Sequence, residues 1–149
     1  MFALNVRSTA RGNEMALSMS DLNVGDTHEA LLVEDLKRTQ IVQYAGSSGD
    51  YNPLHSDEKF TTEVAGYPTV FAHGMLTMGM TGAMLTDYVG DGRLTKYGVR
   101  FTSQVWPGDT LTGTATVESV EDGLVNLEVK TTNQDGVVVL SGYAQARVD

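Results

Sequence analysis

Apolar and polar residues alternate through most of the second half of the chain. This two-residue period is typical of strands with one buried face. The segments 121–123 (Glu-Asp-Gly) and 133–136 (Asn-Gln-Asp-Gly) have the residues of hairpin turns. Together they predict an antiparallel sheet with one apolar face. The predicted strands are residues 28–33, 96–105, 110–118, 124–131 and 137–148.

One segment has the pattern of a buried helix. Residues 75–89, MLTMGMTGAMLTDYV, are apolar or small on nearly every side, as in helices surrounded by other structure. Gly79 and Gly82 each cost a helix up to ~1 kcal/mol. That cost is best understood if backbone or ligand approaches closely there. We therefore predict an α+β domain in which an antiparallel sheet is wrapped around one central buried helix.

The remaining sequence suggests one domain preceded by a tail. Residues 1–20 lack apolar periodicity and are predicted to be a loose N-terminal tail, with Met15 and Met19 as alternative starts to Met1. Residues 21–149 form the predicted domain, at a length that buries a substantial core. We expect a helix over 35–45, with an acid in its first turn and its end in 46–50, and a short helix over 57–64 capped by Ser56.

Charge and composition exclude several classes of function. Ten basic residues stand against nineteen acidic ones, a formal net charge of −9, which argues against nucleic-acid binding. The chain has no cysteine, so it has neither disulfides nor thiolate metal sites, as is common in a reducing cytoplasm. No apolar run approaches the ~20 residues of a membrane span, and the N-terminus lacks a signal peptide's apolar stretch. We expect a cytoplasmic protein.

The segment 44–55 carries the most informative chemistry. It reads YAGSSGDYNPLH, with a carboxylate at Asp50 and an imidazole at His55. Pro53 fixes its own φ and moves Asn52 out of the helical region. The segment is therefore predicted to bend, and a bend can direct both proton-handling groups to one point.

Three blocks resemble one known family. The pattern from Tyr44 to His55, the run 71–76 (FAHGML) and the pair 99–101 and 107–111 (VRF and PGDTL) are similar to the MaoC-like family of (R)-specific enoyl-thioester hydratases and dehydratases. Their order and spacing are more specific than any one block. The resemblance covers about residues 22–148 and implies the hot-dog fold.

The resemblance implies a role for each site residue. Hydration of a conjugated thioester requires a base, an acid and donors for the charge on the thioester oxygen. Asp50 and His55 match the family's catalytic pair, and the Gly74 N–H, at the predicted helix start, matches its oxyanion donor. Asn52 is predicted to hold the turn, and His73 to fix the start of the helix.

Substrate binding is less clearly indicated. A coenzyme A thioester is an anion, so we expect a local basic patch, with Lys59, Lys96 and Arg100 as candidates. Many family members have a serine eight residues after the oxyanion glycine, where this chain has Gly82. We interpret Gly82 as a residue that widens an acyl tunnel.

The predicted function is hydration of trans-2-enoyl-CoA or enoyl-carrier-protein thioesters and the reverse dehydration. Alternatives are a dehydratase subunit of fatty-acid elongation that works only with a partner chain, a hot-dog thioesterase and a catalytically silent subunit. We expect no cofactor, and no metal at Asp50, His55 and His73, because the thioester already activates the alkene. An exposed sheet edge favours a homodimer or higher homo-oligomer; a heterodimer is the alternative.

Overall fold

The computed structural model describes residues 17–148, which form a five-stranded sheet with two α-helices. Every strand pair is antiparallel, and the strand order is β1-β3-β4-β5-β2. The predicted α+β architecture is therefore confirmed, with small changes at several boundaries. The elements are β1 Thr27–Val33, α1 Arg38–Ser48, α2 Gly74–Val89, β2 Leu94–Phe101, β3 Leu111–Glu121, β4 Leu124–Thr132 and β5 Val138–Arg147.

The core lies between α2 and one face of the sheet. Alternate residues of β3 and β4 are buried, as the sequence period requires. The β3–β4 hairpin turns at Asp122 and Gly123, whose φ angles are 53° and 75°. Two consecutive positive φ values are typical of the tight turn that matches strand twist. The buried residues of this core include Met84, Leu85, Val89, Leu111, Ala115, Val117, Val125, Leu127, Val129, Leu140 and Ala144.

Helix α2 is buried on the side that faces the sheet and open along one stripe. Met75, Gly79, Ala83 and Asp87 are exposed in the single chain, and their four-residue spacing places them on one face. The prediction that this helix is covered nearly all round is wrong for that stripe. One sheet covers only one side of a helix.

Helix α1 begins three residues later than predicted and ends within the predicted segment 46–50. Asp35 has a φ of 50°, a left-handed conformation that a right-handed helix excludes. It lies before the helix, where it pairs with Lys37, so the predicted acid in the first turn is not there. Gly46 is inside the helix, and Gly49, at φ 76°, is the residue that ends it.

The segment after α1 also differs from its prediction. The Asp57 carboxylate accepts the Phe60 N–H at 3.0 Å, so Asp57 rather than Ser56 caps the short helix. Its last turn, Phe60–Val64, is π-helical. Strand β2 ends at Phe101, before the predicted end at residue 105. The 102–105 segment leaves the sheet, and the Val105 carbonyl accepts the Ala72 N–H at 2.8 Å.

The folded region reaches back to Leu17. Its side chain packs against the core, and Arg93 Nη1 donates to its carbonyl at 3.1 Å. Leu17 belongs to the predicted tail, and residues 1–16 of that tail lie outside the described residues. The predicted domain boundary stays a prediction. Within 17–148, no helix is both long enough and apolar enough to cross a membrane.

Candidate active site

The loop that follows α1 is held by its own side chains. Ser48 Oγ accepts the Asp50 N–H at 3.2 Å, Asp50 Oδ1 accepts the Asn52 N–H at 3.2 Å, and Asn52 Oδ1 accepts the Leu54 N–H at 3.1 Å. The last of these bonds caps a 3-10 turn over Pro53–His55. Asn52 therefore makes a structural contact, and the turn uses only one carboxylate oxygen of Asp50.

His55 is fixed in one tautomer by a backbone carbonyl. Its Nδ1 lies 2.7 Å from the Phe71 carbonyl oxygen. A carbonyl only accepts hydrogen bonds, so Nδ1 carries the proton and Nε2 of the neutral ring is an acceptor. The Phe71 ring also meets the imidazole edge to face, with centroids 5.4 Å apart. His55 is thereby prepared to accept a proton at Nε2.

His73 connects the Asp50 loop to the start of α2. It is 1% exposed, its Nε2 donates to the Asp50 carbonyl at 3.0 Å, and its ring stacks on His55 with centroids 3.8 Å apart. Its own carbonyl accepts the Leu76 N–H at 3.1 Å in the first turn of α2. The segment 44–55 and the segment 71–76 therefore meet at His73.

The environment of His55 favours its neutral form. Burial is the main cause that lowers its pKa below the ordinary value of 6.5, and the neighbouring His73 lowers it further. The bond to the Phe71 carbonyl and the charge of Asp50 oppose this shift without reversing it. At neutral pH, His55 is consequently a neutral base beside an exposed carboxylate.

Ligand atoms of Asp50, His55 and His73 lie within 4.8 Å of one another. This spacing suits a single water, because hydrogen bonds of about 2.7–3.0 Å from each side span roughly 5 Å. The Asp50 carboxylate and one ring nitrogen of each histidine are ligand types that a metal ion would use. The expectation that no metal is required stays a prediction.

The lowered pKa of His55 predicts how activity depends on pH. If neutral His55 is the base, kcat/KM for hydration should fall on acidification with a midpoint below 6.5, the ordinary pKa of histidine. In Asp50→Asn the neighbouring charge is lost, so the residual activity should fall at a still lower pH. A pH–rate profile of both proteins is the measurement. A wild-type midpoint above 6.5 would contradict this assignment.

Gly74 is the first residue of α2, and it lines a pocket. The N–H at this position has no acceptor within the helix. A Cβ at residue 74 would lie 3.0 Å from the Phe101 ring, which shows how closely the opposite wall approaches. The pocket has a volume of about 240 Å³, and its walls include Phe71, Thr77, Phe101 and Val139. Phe71 thus contacts His55 on one side and this pocket on the other.

The three candidate cations for substrate binding lie on two different elements of the fold. Lys96 and Arg100 are exposed. They share one side of β2, and Tyr97 on the opposite side packs against α2. Lys96 and Arg100 therefore lie on the outer face of the sheet, while exposed Lys59 follows the His55 turn in sequence. Lys96 with Arg100, or Lys59, as the basic residues that bind the substrate stay a prediction.

Gly82 has a neighbour that the sequence did not indicate. A Cβ there would lie 3.3 Å from the Tyr97 ring, and the Tyr97 hydroxyl donates to the Met78 carbonyl at 3.0 Å. Burial raises the pKa of Tyr97 to about 12, which keeps the phenol protonated as a donor. The ring thus occupies the space that we expected Gly82 to add to a tunnel.

Three contributors to the site were missed at the sequence level. The Phe71 carbonyl sets the His55 tautomer, a backbone role that no residue type reveals. Phe101 forms a pocket wall, although its strand pattern indicates only an alternating residue. Thr77 lines the pocket one turn after Gly74, and a hydroxyl in an otherwise apolar segment was its only signal.

The antiparallel sheet and its central helix define a hot-dog domain. The family model described as MaoC like domain matches residues 20–138, and the chain belongs to this family. The R-hydratase PhaJ1 from Pseudomonas aeruginosa, solved in the unliganded form, superposes with a TM-score of 0.79 at 26% identity, over 89% of this chain and 86% of that one. The predicted hot-dog fold and family are thereby confirmed.

Two curated relatives are named as a hydratase and a dehydratase. The chain is 31% identical to the (R)-specific enoyl-CoA hydratase of Rhodospirillum rubrum, over 85% of this chain and 89% of that protein. It is 38% identical to 3-hydroxyacyl-thioester dehydratase Y of Mycobacterium tuberculosis, over 68% of this chain and 33% of the relative. The chain spans about a third of the length of the first curated relatives that it matches.

Proposed function

We propose that this protein adds water to trans-2-enoyl thioesters to give (3R)-3-hydroxyacyl thioesters, and catalyses the reverse dehydration. The observation that carries the proposal is the His55 tautomer. Its Nδ1 proton is held by the Phe71 carbonyl, so its Nε2 is left as an acceptor. A ring nitrogen of His55 lies within 4.8 Å of a carboxylate oxygen of Asp50. The hydratase and dehydratase relatives support the same reaction class.

The first half of the reaction uses the Asp50–His55 pair. One water is held between the carboxylate and Nε2, and His55 removes a proton as the water oxygen bonds to C3 of the enoyl group. The C2–C3 π electrons move toward the thioester carbonyl, which becomes an enolate. Asp50 orients the water and exchanges the proton with His55.

The second half returns the proton and uses the start of α2. The enolate oxygen accepts the Gly74 N–H, a donor that α2 itself does not use. The proton taken from water is then delivered to C2, so water is consumed and both groups return to their starting forms. No redox step occurs. We propose that the reaction requires neither metal nor cofactor and that the thioester is carried on coenzyme A or a carrier protein.

The direct experiment is an assay of purified protein with crotonyl-CoA. Loss of the conjugated enoyl thioester should be seen with this chain alone and should persist after EDTA treatment. Release of free CoA thiol would instead indicate a thioesterase. Activity that appears only with a second chain would indicate the partner-dependent dehydratase subunit, and no turnover with any thioester would indicate a silent subunit.

We propose that the active form is a homodimer. β2 is an edge strand, and its last residue, Phe101, is 49% exposed. Met75 on the open stripe of α2 is 54% exposed. Unpaired edges and adjacent exposed apolar side chains are commonly covered by a second copy. Asp50 is also open to solvent in the single chain, and pairing of two chains would help exclude water from it.

We also propose a cytoplasmic location, which the cysteine-free composition supports.

Sedimentation velocity should therefore show a dimer at the concentrations used for the assay. Dilution that dissociates the dimer should reduce the specific activity. A monomer that keeps full activity would overturn this proposal, and a stable complex only with a different chain would favour the heterodimer.

A further inference from the structure

Two buried polar atoms near the site have no hydrogen-bond partner among residues 17–148. They are Nδ1 of His73 and Oγ1 of Thr77. The His73 ring is already anchored through Nε2 to the Asp50 carbonyl. Thr77 is different, because its only side-chain polar atom is unpaired while the residue lines the pocket that begins at Gly74.

Other threonines of α2 show how such a hydroxyl is normally satisfied. Thr81 Oγ1 donates to the Thr77 carbonyl at 2.9 Å, and Thr86 Oγ1 donates to the Gly82 carbonyl at 3.0 Å. Each uses the carbonyl four residues earlier. For Thr77 that acceptor is the His73 carbonyl, which already accepts the N–H groups of Leu76 and Thr77 itself.

An unsatisfied hydroxyl at this position destabilises the folded protein. Thr77 is only 2% exposed, so solvent does not compensate, and valine has nearly the same shape without the polar group. A buried polar atom that is costly to the fold and located at a pocket wall points to a partner supplied by a ligand. The position of Thr77 in the pocket indicates which part of the ligand its hydroxyl would bind.

Helix geometry places Thr77 beside the proposed oxyanion donor. Residues 74 and 77 lie on one face of α2, and helical side chains tilt toward the N-terminus, so the Thr77 side chain extends over the first turn. Its Oγ1 is buried in a residue that lines the pocket, and threonine in a helix adopts two χ1 rotamers. Rotation about χ1 therefore changes the direction in which the hydroxyl can donate.

We propose that the Thr77 hydroxyl is a second hydrogen-bond donor to the thioester oxygen, beside the Gly74 N–H. This inference rests on the proposed hydratase function and adds a side-chain group to its oxyanion site. Thr77 keeps its proton throughout and takes no part in proton transfer. The hydroxyl stabilises the enolate more than the ground-state carbonyl. Its loss should therefore lower kcat more than it changes KM.

The test compares Thr77→Val with Thr77→Ser, measuring kcat and KM for crotonyl-CoA and the melting temperature. Thr77→Val should lower kcat by about tenfold or more, with a much smaller change in KM, and its melting temperature should stay equal or rise. Thr77→Ser keeps the hydroxyl and should retain most of the wild-type kcat. A purely structural role predicts the opposite: a lower melting temperature and unchanged kcat.

Thr81→Val is the matched control on the same helix. Thr81 is equally buried, but its hydroxyl bonds to Thr131 at 2.8 Å, and it does not line the pocket. This variant should lose thermal stability and keep the wild-type kcat. Wild-type kcat in Thr77→Val, or equal losses in the valine and serine variants, would overturn the inference alone. An inactive wild-type protein would overturn the proposed function and this inference with it.

Discussion

Asp50→Asn and His55→Ala should each lower kcat for crotonyl-CoA hydration by ~10²–10⁴-fold, the usual contribution of a positioned acid or base. Asparagine keeps the Oδ1 that accepts the Asn52 N–H, so the turn should persist. His55→Ala loses the bond to the Phe71 carbonyl, worth about 1 kcal/mol, or about 2–4 °C in a domain of this size. Steady-state kinetics and thermal melts are the measurements.

The double variant tests whether the two residues act on one proton transfer. If they do, the combined loss should be close to the larger single loss and far from the product of the two. Asn52→Ala provides a comparison, because it removes the cap of the Pro53–His55 turn without removing a proton-handling group. Near wild-type kcat in either single variant would contradict the role given to that residue.

Gly74→Val should lower kcat by ~10²–10³-fold, the typical loss for one oxyanion donor. The donor is backbone and cannot be deleted, but a side chain can block the approach to it. A Cβ added at residue 74 would lie 3.0 Å from the Phe101 ring, so valine must displace that ring or fill the pocket. Phe101 is about half exposed and can move outward, so the protein should still fold.

Two further glycine variants separate geometry from a general effect of added methyl groups. Gly74→Ala should lose less than Gly74→Val because its smaller side chain leaves part of the approach open. Gly46→Ala adds a methyl group to α1 where nothing lies within 4 Å, and it should leave kcat unchanged while favouring the helix by up to ~1 kcal/mol. A folded Gly74→Val with the wild-type rate would show that the thioester oxygen binds elsewhere.

Much of the fold was predictable because periodicity reports which faces are buried. The strands and α2 follow directly from alternating or continuous apolar patterns. The start of α1 was missed because Asp35 adopts a left-handed conformation, which residue type alone does not reveal. The open stripe of α2 was missed for a different reason. An apolar helix indicates that its faces are covered, but not whether the same chain covers them.

The sequence named the residues of the candidate site, whose roles stay predictions, but it did not indicate their physical chemistry. The spacing of Asp50 and His55 around Pro53 indicated the pair, and the HisGly block indicated Gly74. The His55 tautomer depends on a carbonyl sixteen residues away, and the unpaired state of Thr77 depends on an acceptor that is already occupied. Such properties depend on three-dimensional contacts and have no signature in residue order.

The most direct test of the central claim is the stereochemistry of the hydration product. Purified wild-type protein is incubated with trans-2-butenoyl-CoA in the presence of EDTA, and the 3-hydroxybutyryl product is resolved by chiral chromatography after hydrolysis. Asp50→Asn measured in parallel controls for a contaminating hydratase. The account predicts the (3R) product from the wild type and little product from the variant. A (3S) product, equal product from both proteins, or free CoA with unreacted butenoate would contradict it.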